Sequence, residues 1–152
     1  MNTSYYLRNN PVMIMGIIEV ALQDESSTDI GRLAALLPLM MDDKIVEILI
    51  NQNMQYTFRQ LVQSNNLFLA NYNDRYFSLL KPLYHAVSIM LDAGDIELKG
   101  SSIITSESKH APLFEVGQSQ RLRKTGIATQ RLLKMSQRET ISELYHLLKV
   151  EL

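Results

Sequence analysis

A helix that must end at one glycine and pass directly into two short strands is the tightest constraint in this chain. From Phe77 to Ala93, the residues Leu79, Leu80, Leu83, Val87, Met90 and Leu91 recur at three- and four-residue steps. That spacing gathers apolar side chains on one helical face. Gly94 follows, and glycine enters the left-handed conformation at a helix C-terminus without steric cost. Two apolar runs come next, Ile96 with Leu98 and Ile103 with Ile104, separated by Lys99-Gly100-Ser101-Ser102. This pattern predicts a β-hairpin with a tight turn.

A helix feeding a two-stranded ribbon is the pattern of a winged helix-turn-helix unit, a scaffold that binds DNA or another protein. The segments before it read as helices. Asn10 caps a first one beginning at Pro11, whose run Val12-Met13-Ile14-Met15-Gly16-Ile17-Ile18 is apolar nearly all round and predicts burial on most sides. A polar loop is expected over Gln23–Thr28. Asp29 then caps a helix from Ile30 to Met41, in which Pro38 is expected to kink or divide the element. Asp42 caps a third, Lys44–Gln52, and a fourth covers Thr57–Asn73 with a break near Ser64-Asn65-Asn66.

Ser, Gly, Pro and charge dominate residues 105–119, which read as a connector. Beyond it, Leu122, Ile127, Leu132 and Leu133 mark one helix, and Ile141, Leu144, Leu147 and Leu148 a second that starts after a Ser136 cap. The expected fold is mainly α: a helical domain with a winged-helix-like β-hairpin over residues 1–108, a connector at 109–119, and a basic C-terminal helical pair over 120–152.

Hydrophobic residues at 46% argue against a disordered chain, and charged residues at 20% leave less polar surface than usual, as expected of a subunit partly covered by partners. Eight Met and seven Tyr suit adaptable contact surfaces as well as ordinary cores. The absence of cysteine excludes disulfides, thiol catalysis and cysteine-type zinc sites. The apolar run Val12–Leu22 is interrupted by Glu19 and too short to span a bilayer, and no cleavage site follows it. A cytoplasmic protein without membrane contact is the expectation.

Catalytic patterns are missing. The six glycines stand apart, so no glycine-rich phosphate loop is present and no nucleotide cofactor is expected. His85, His110 and His146 form no pair at a metal-ligand spacing. Glu143 and His146 make only half of a di-iron carboxylate motif, whose remaining ligands are absent. No serine lies in a nucleophile elbow. The expectation is a non-enzyme with no cofactor, no metal and no small-molecule substrate.

One charge feature stands apart. Arg121, Arg123, Lys124, Arg131, Lys134 and Arg138 fall between Gln118 and Arg138 with no acidic residue among them, although the whole chain carries a net charge of −1. Such a segment contacts DNA phosphates or an acidic partner surface, or is simply a solvated helix face. Asp92, Asp95 and Glu97 put negative charge beside the hairpin, where a DNA-bound wing would face phosphates. That favours a winged unit used for protein contact.

In this order the segments resemble the middle component of three-component ABC systems, the small subunit of Lamassu-type bacterial defence operons. The resemblance rests on Asn10-Pro11-Val12-Met13-Ile14, on Leu36-Leu37-Pro38-Leu39-Met40-Met41, on the helix and strand pair of Leu79–Ile104, and on the basic Arg121–Leu133 and terminal Glu139–Val150 helices. It departs where the family often has a His-Lys pair and this chain has Asp42-Asp43-Lys44, so no role tied to that histidine transfers. The resemblance implies a non-catalytic antiviral-defence subunit connecting an SMC/Rad50-like ATPase subunit to an effector nuclease subunit, with possible DNA contact inside the complex. The alternative is a stand-alone winged-helix transcription regulator.

Overall fold

The computed structural model describes residues 10–51, 55–106 and 120–152. The expected connector at 109–119, and His110 within it, lie outside the described residues. Among the described residues there are seven α-helices, one 3-10 segment and three strands. They run α1 (Pro11–Asp24), β1 (Ser27–Asp29), α2 (Ile30–Met40), α3 (Asp43–Ile50), α4 (Phe58–Ser64), the 3-10 turn Asn66–Asn71, and α5 (Tyr72–Asp92). The chain continues with β2 (Ile96–Lys99), β3 (Ser102–Thr105), α6 (Gln120–Ser136) and α7 (Ile141–Leu147). The protein is mainly helical, with a winged-helix-like hairpin and a C-terminal helical pair.

Helix starts follow side chains that satisfy the first free N–H groups. Asn10, Asp29 and Asp42 accept from Val12, Arg32 and Ile45 main-chain N–H groups at 2.9, 3.2 and 3.1 Å. Thr57 with Gln60 and Thr140 with Glu143 form reciprocal capping boxes. The second C-terminal helix therefore begins after a Thr140 cap. Ser136 is no cap but the last residue of α6, its Oγ donating to Leu133 O at 3.0 Å. Pro38 does not divide α2, which runs through it and ends two residues later at Met40. The break near Ser64–Asn66 is present, but the chain resumes in a 3-10 turn and α5 starts at Tyr72, five residues before Phe77.

At the far end of α5, Gly94 adopts φ 78°, and the N–H groups of Asp95 and Gly94 bond Met90 O and Leu91 O, both at 3.0 Å. This double closure is the Schellman arrangement that glycine permits. The hairpin follows with Lys99 opposite Ser102 and Gly100 at φ 61° in the two-residue turn. The hairpin is joined by a third strand. Ser27–Asp29, expected as loop, pairs antiparallel with β3 to give the order β1-β3-β2. Asp29 serves both elements: it caps α2, and its second oxygen accepts from Ser101 Oγ at 2.7 Å.

One hydrophobic cluster draws on every layer, from Ile14, Ile17 and Ile18 in α1 to Leu132, Leu144 and Leu148 near the C-terminus. Residues Leu33 to Met40 of α2 are all buried. Around that helix lie α3, α5, α6, α7 and β1. As expected, α1 is buried on most sides, with Val12 exposed.

The turn joining α6 to α7 is held by two arginines. The Arg32 guanidinium donates to Ser136 O and Glu139 O, both at 2.7 Å, and Arg59 meets the Glu139 carboxylate with Nε at 3.0 Å and Nη2 at 2.8 Å. Forked guanidinium contacts of this kind fix orientation as well as distance. Tyr145 completes the docking of α7, its O–H reaching Gly31 O at 3.2 Å and pairing with Tyr76 Oη at 3.1 Å, while Tyr72 O–H ties α5 to α2 by donating to Ala35 O. Burial raises the pKa of Tyr72 and Tyr145, so both phenols stay protonated donors.

Two stability predictions follow from this packing. Thr129, fully buried in α6, has a hydroxyl without a hydrogen-bond partner among the described residues. Thr129→Val should stabilise the fold by about 1 kcal/mol, whereas Thr129→Ser, which keeps the hydroxyl, should not; thermal melts decide. The Thr140 hydrogen bonds, followed by the Arg59 charge, hold the Glu143 carboxyl below its ordinary pKa. Its contribution is complete above the ordinary carboxylate range and is lost as pH falls through the lowered value. The melting-temperature gap between wild type and Glu143→Gln should therefore close on acidification.

Candidate interaction surface

α6 has a regular division of faces. Thr125, Ala128, Thr129, Leu132 and Ser136 are buried, at steps of three, four and seven that turn one stripe inward. Five of the six basic residues of this segment lie on α6 and divide between two other faces, and Arg138 follows in the turn after it.

Three of them are used inside the fold, against α3. Arg121 Nη2 lies 3.2 Å from Asp43 Oδ1, Lys124 Nζ lies 2.6 Å from Glu47 Oε1, and Arg131 Nη1 donates to Leu49 O at 2.7 Å. The contacts follow the same order along both helices, so α6 and α3 run side by side in one direction. Arg131 meets a carbonyl in the last turn of α3, the end where the helix dipole favours a cation. Both ion pairs are open to solvent, which limits each to about 0–1 kcal/mol. Their main effect is to hold α6 in register.

The other three, Arg123, Lys134 and Arg138, are exposed and make no ion pair among the described residues. At 3.6 residues per turn, Arg123 and Lys134 lie about 20° apart around the helix and about 16 Å apart along it, and Arg138 follows in the turn two residues past the helix end. Ile127, 39% exposed, sits between them. The result is a basic strip with an apolar centre on a helix braced from behind.

The elements of the winged unit look different. α5 exposes Phe77, Lys81, Tyr84, His85 and Ser88, so its outer face is aromatic with few cations. Arg75 is already engaged, 3.3 Å from Asp42 and stacked 4.4 Å from the Phe68 ring centroid. Asp92 and Glu97 are exposed on either side of the helix-to-hairpin turn. A duplex approaching this face would meet carboxylates and aromatic rings.

Glu143 and His146 do not converge on a site. Glu143 accepts the Thr140 N–H at 2.7 Å as a cap, and no group of three or more potential metal ligands occurs among the described residues. No helix among them is long and apolar enough to cross a membrane.

A concavity lies where no motif pointed. A groove of about 700 Å³ runs between α1, β1 and α6, with Glu25, Ser27, Asp29, Arg32, Lys134 and Gln137 among its lining residues. Its only signal in the sequence is the polar Ser26-Ser27-Thr28 stretch, too short to read as a strand.

No protein-family profile, no curated protein and no solved structure matches this chain.

The division of α6 predicts two kinds of variant. Lys124→Glu places a carboxylate against Glu47 and should lower stability by about 1 kcal/mol. The double change Arg123→Glu and Arg138→Glu should leave the melting temperature within about 2 °C of wild type, since surface substitutions free of partners stay within about 0.5 kcal/mol.

Proposed function

We propose that this chain is a non-catalytic connector subunit of a bacterial anti-phage or anti-plasmid defence complex, bridging an SMC/Rad50-like ABC ATPase to an effector, commonly a nuclease, and restraining that effector until DNA is sensed. The reading starts from the resemblance to the middle components of three-component ABC systems. The observation that carries it is the pair of exposed cations Arg123 and Lys134 around Ile127, with Arg138 in the turn just beyond, a charged contact face on a helix held rigid by α3 and by the Arg32 and Arg59 contacts. A rigid helix with an exposed charged face suits a subunit that transmits movement between larger partners. The partners supply the nucleotide chemistry and the cleavage, and the complex works in the cytoplasm.

A winged-helix transcription regulator is the second reading, favoured by the sheet order β1-β3-β2 and the helix leading into the hairpin. Against it stand the aromatic outer face of α5 and the carboxylates beside the hairpin.

Affinity purification of a tagged copy with the products of its neighbouring genes separates the two. The connector reading expects a stable complex containing a large coiled-coil ATPase, weakened by Arg123→Glu with Arg138→Glu. A lone homodimer that shifts duplex DNA would overturn it.

A further inference from the structure

We propose that the free edge of β2 is a self-pairing surface, through which two copies of the chain join their sheets antiparallel about a two-fold axis at Leu98. The order β1-β3-β2 leaves β2 at an edge. Ser106 N–H donates to Asp95 O at 3.1 Å, while Thr105 N–H turns the other way, to Ser26 O at 3.1 Å. Antiparallel ladders alternate, so Asp95, Glu97 and Lys99 direct their main-chain groups to β3. Ile96 and Leu98, opposite Thr105 and Ile103, direct theirs outward. A second β2 therefore meets the N–H and C=O groups of Ile96 and Leu98, the chemistry of strand addition. On the two-fold axis, Leu98 exchanges both hydrogen bonds with its own copy.

The side chains specify the partner. Glu97, Leu98 and Lys99 are all exposed, Leu98 at 48%. Neither Glu97 nor Lys99 makes an ion pair among the described residues. With Leu98 opposite the copy's Leu98, Glu97 falls opposite the copy's Lys99, and Lys99 opposite the copy's Glu97. These are the positions without main-chain bonds, where facing side chains come closest. Two ion pairs thus flank one apolar contact. A lone edge lysine discourages pairing because it meets its own copy. An acid two residues before it turns the same edge into one that fits itself.

A single register achieves this. Outward groups must meet outward groups, so the pairing slips only by two residues at a time. Slipping one way sets Glu97 against Glu97, and slipping the other way sets Lys99 against Lys99. Like charges directly opposite each other are destabilising. A foreign strand bearing only acids or only bases meets one like charge in either orientation, whereas a copy meets none. The contact is small beside the roughly 1,200 Å² of a stable complex. Pairing therefore belongs to concentrated protein, or to copies already held together in a larger assembly. It uses no other protein and stands independently of the connector reading.

The test is sedimentation velocity on the full chain from about 10 μM to about 1 mM, a range that spans weak association. Wild type should pass from monomer to dimer within it. Lys99→Glu and Glu97→Lys should each stay monomeric, and an equal mixture of the two should pair again, since opposite charges then face each other at both positions. The doubly exchanged chain, Glu97→Lys with Lys99→Glu, should pair with itself as wild type does. Because the chain has no cysteine, Leu98→Cys checks the register. It sets two Cα atoms about 5.5 Å apart, within disulfide reach, and should cross-link under copper phenanthroline far faster than Ser88→Cys on α5. If a single reversal does not fold, the doubly exchanged chain and the cross-link decide. A chain that stays monomeric over the whole range, or a dimer that survives either single reversal, would overturn the proposal. A restored dimer that leaves duplex DNA unshifted keeps the connector reading; one that shifts it favours the regulator and leaves this interface standing.

Discussion

A helix without a polar face has to be surrounded, and α2 is such a helix. Over the two turns from Leu33 to Met40 every residue is buried, so water is excluded on all sides and some other element must cover each one. α5 covers one side, α3 and α6 others, and α7 packs near the N-terminal turn. Burial on this scale, at roughly 25 cal/mol per Å² of apolar surface, is the dominant favourable term in the fold. It also explains why the C-terminal helices join the same core as the winged unit: without them part of α2 would face solvent. The single charged residue of α2, Arg32, stands at its open end and reaches outward to the α6–α7 turn.

Much of this was legible in the sequence wherever a local rule decided the outcome. Asn10, Asp29 and Asp42 mark helix starts because a short polar side chain in extended backbone accepts the first free N–H groups, a bond it cannot make from within a helix. Gly94 and Gly100 mark the end of α5 and the hairpin turn because only glycine adopts positive φ without cost. The sequence was silent where pairing is decided by distant residues. β1 is three residues long and polar, and it is a strand because Ile103 and Ile104, some 75 positions away, present a ladder to it. Thr140 with Glu143 was a readable capping box that Ser136 concealed, since a serine after an apolar run carries the same signal.

The basic segment illustrates what composition can and cannot convey. Six cations without an acid stand out as one feature in the chain, yet folding sorts them by angle. Those facing α3 meet Asp43, Glu47 and a helix C-terminus, and only those on the outer face keep their charge available. The acids that pair with two of the six cations, Asp43 and Glu47, sit more than 70 positions earlier in the chain, and Arg131 is turned onto a carbonyl of the same helix, so the local run of charge overstated what faces outward. The same sorting places Ile127 among the cations that remain. An exposed branched side chain there contributes little to holding phosphates but adds contact area against another protein.

Arg32 belongs to two structures at once. Its side chain lines the groove beside β1, and its guanidinium closes the turn between α6 and α7. A group shared in this way makes the two places thermodynamically inseparable. Any occupant of the groove that displaces Arg32 loosens the α6–α7 turn, and by reciprocity anything that tightens the turn lowers the affinity of that occupant by the same factor. The chain thus contains a short lever of one side chain, through which an event at the sheet edge changes how firmly its C-terminal helix is held.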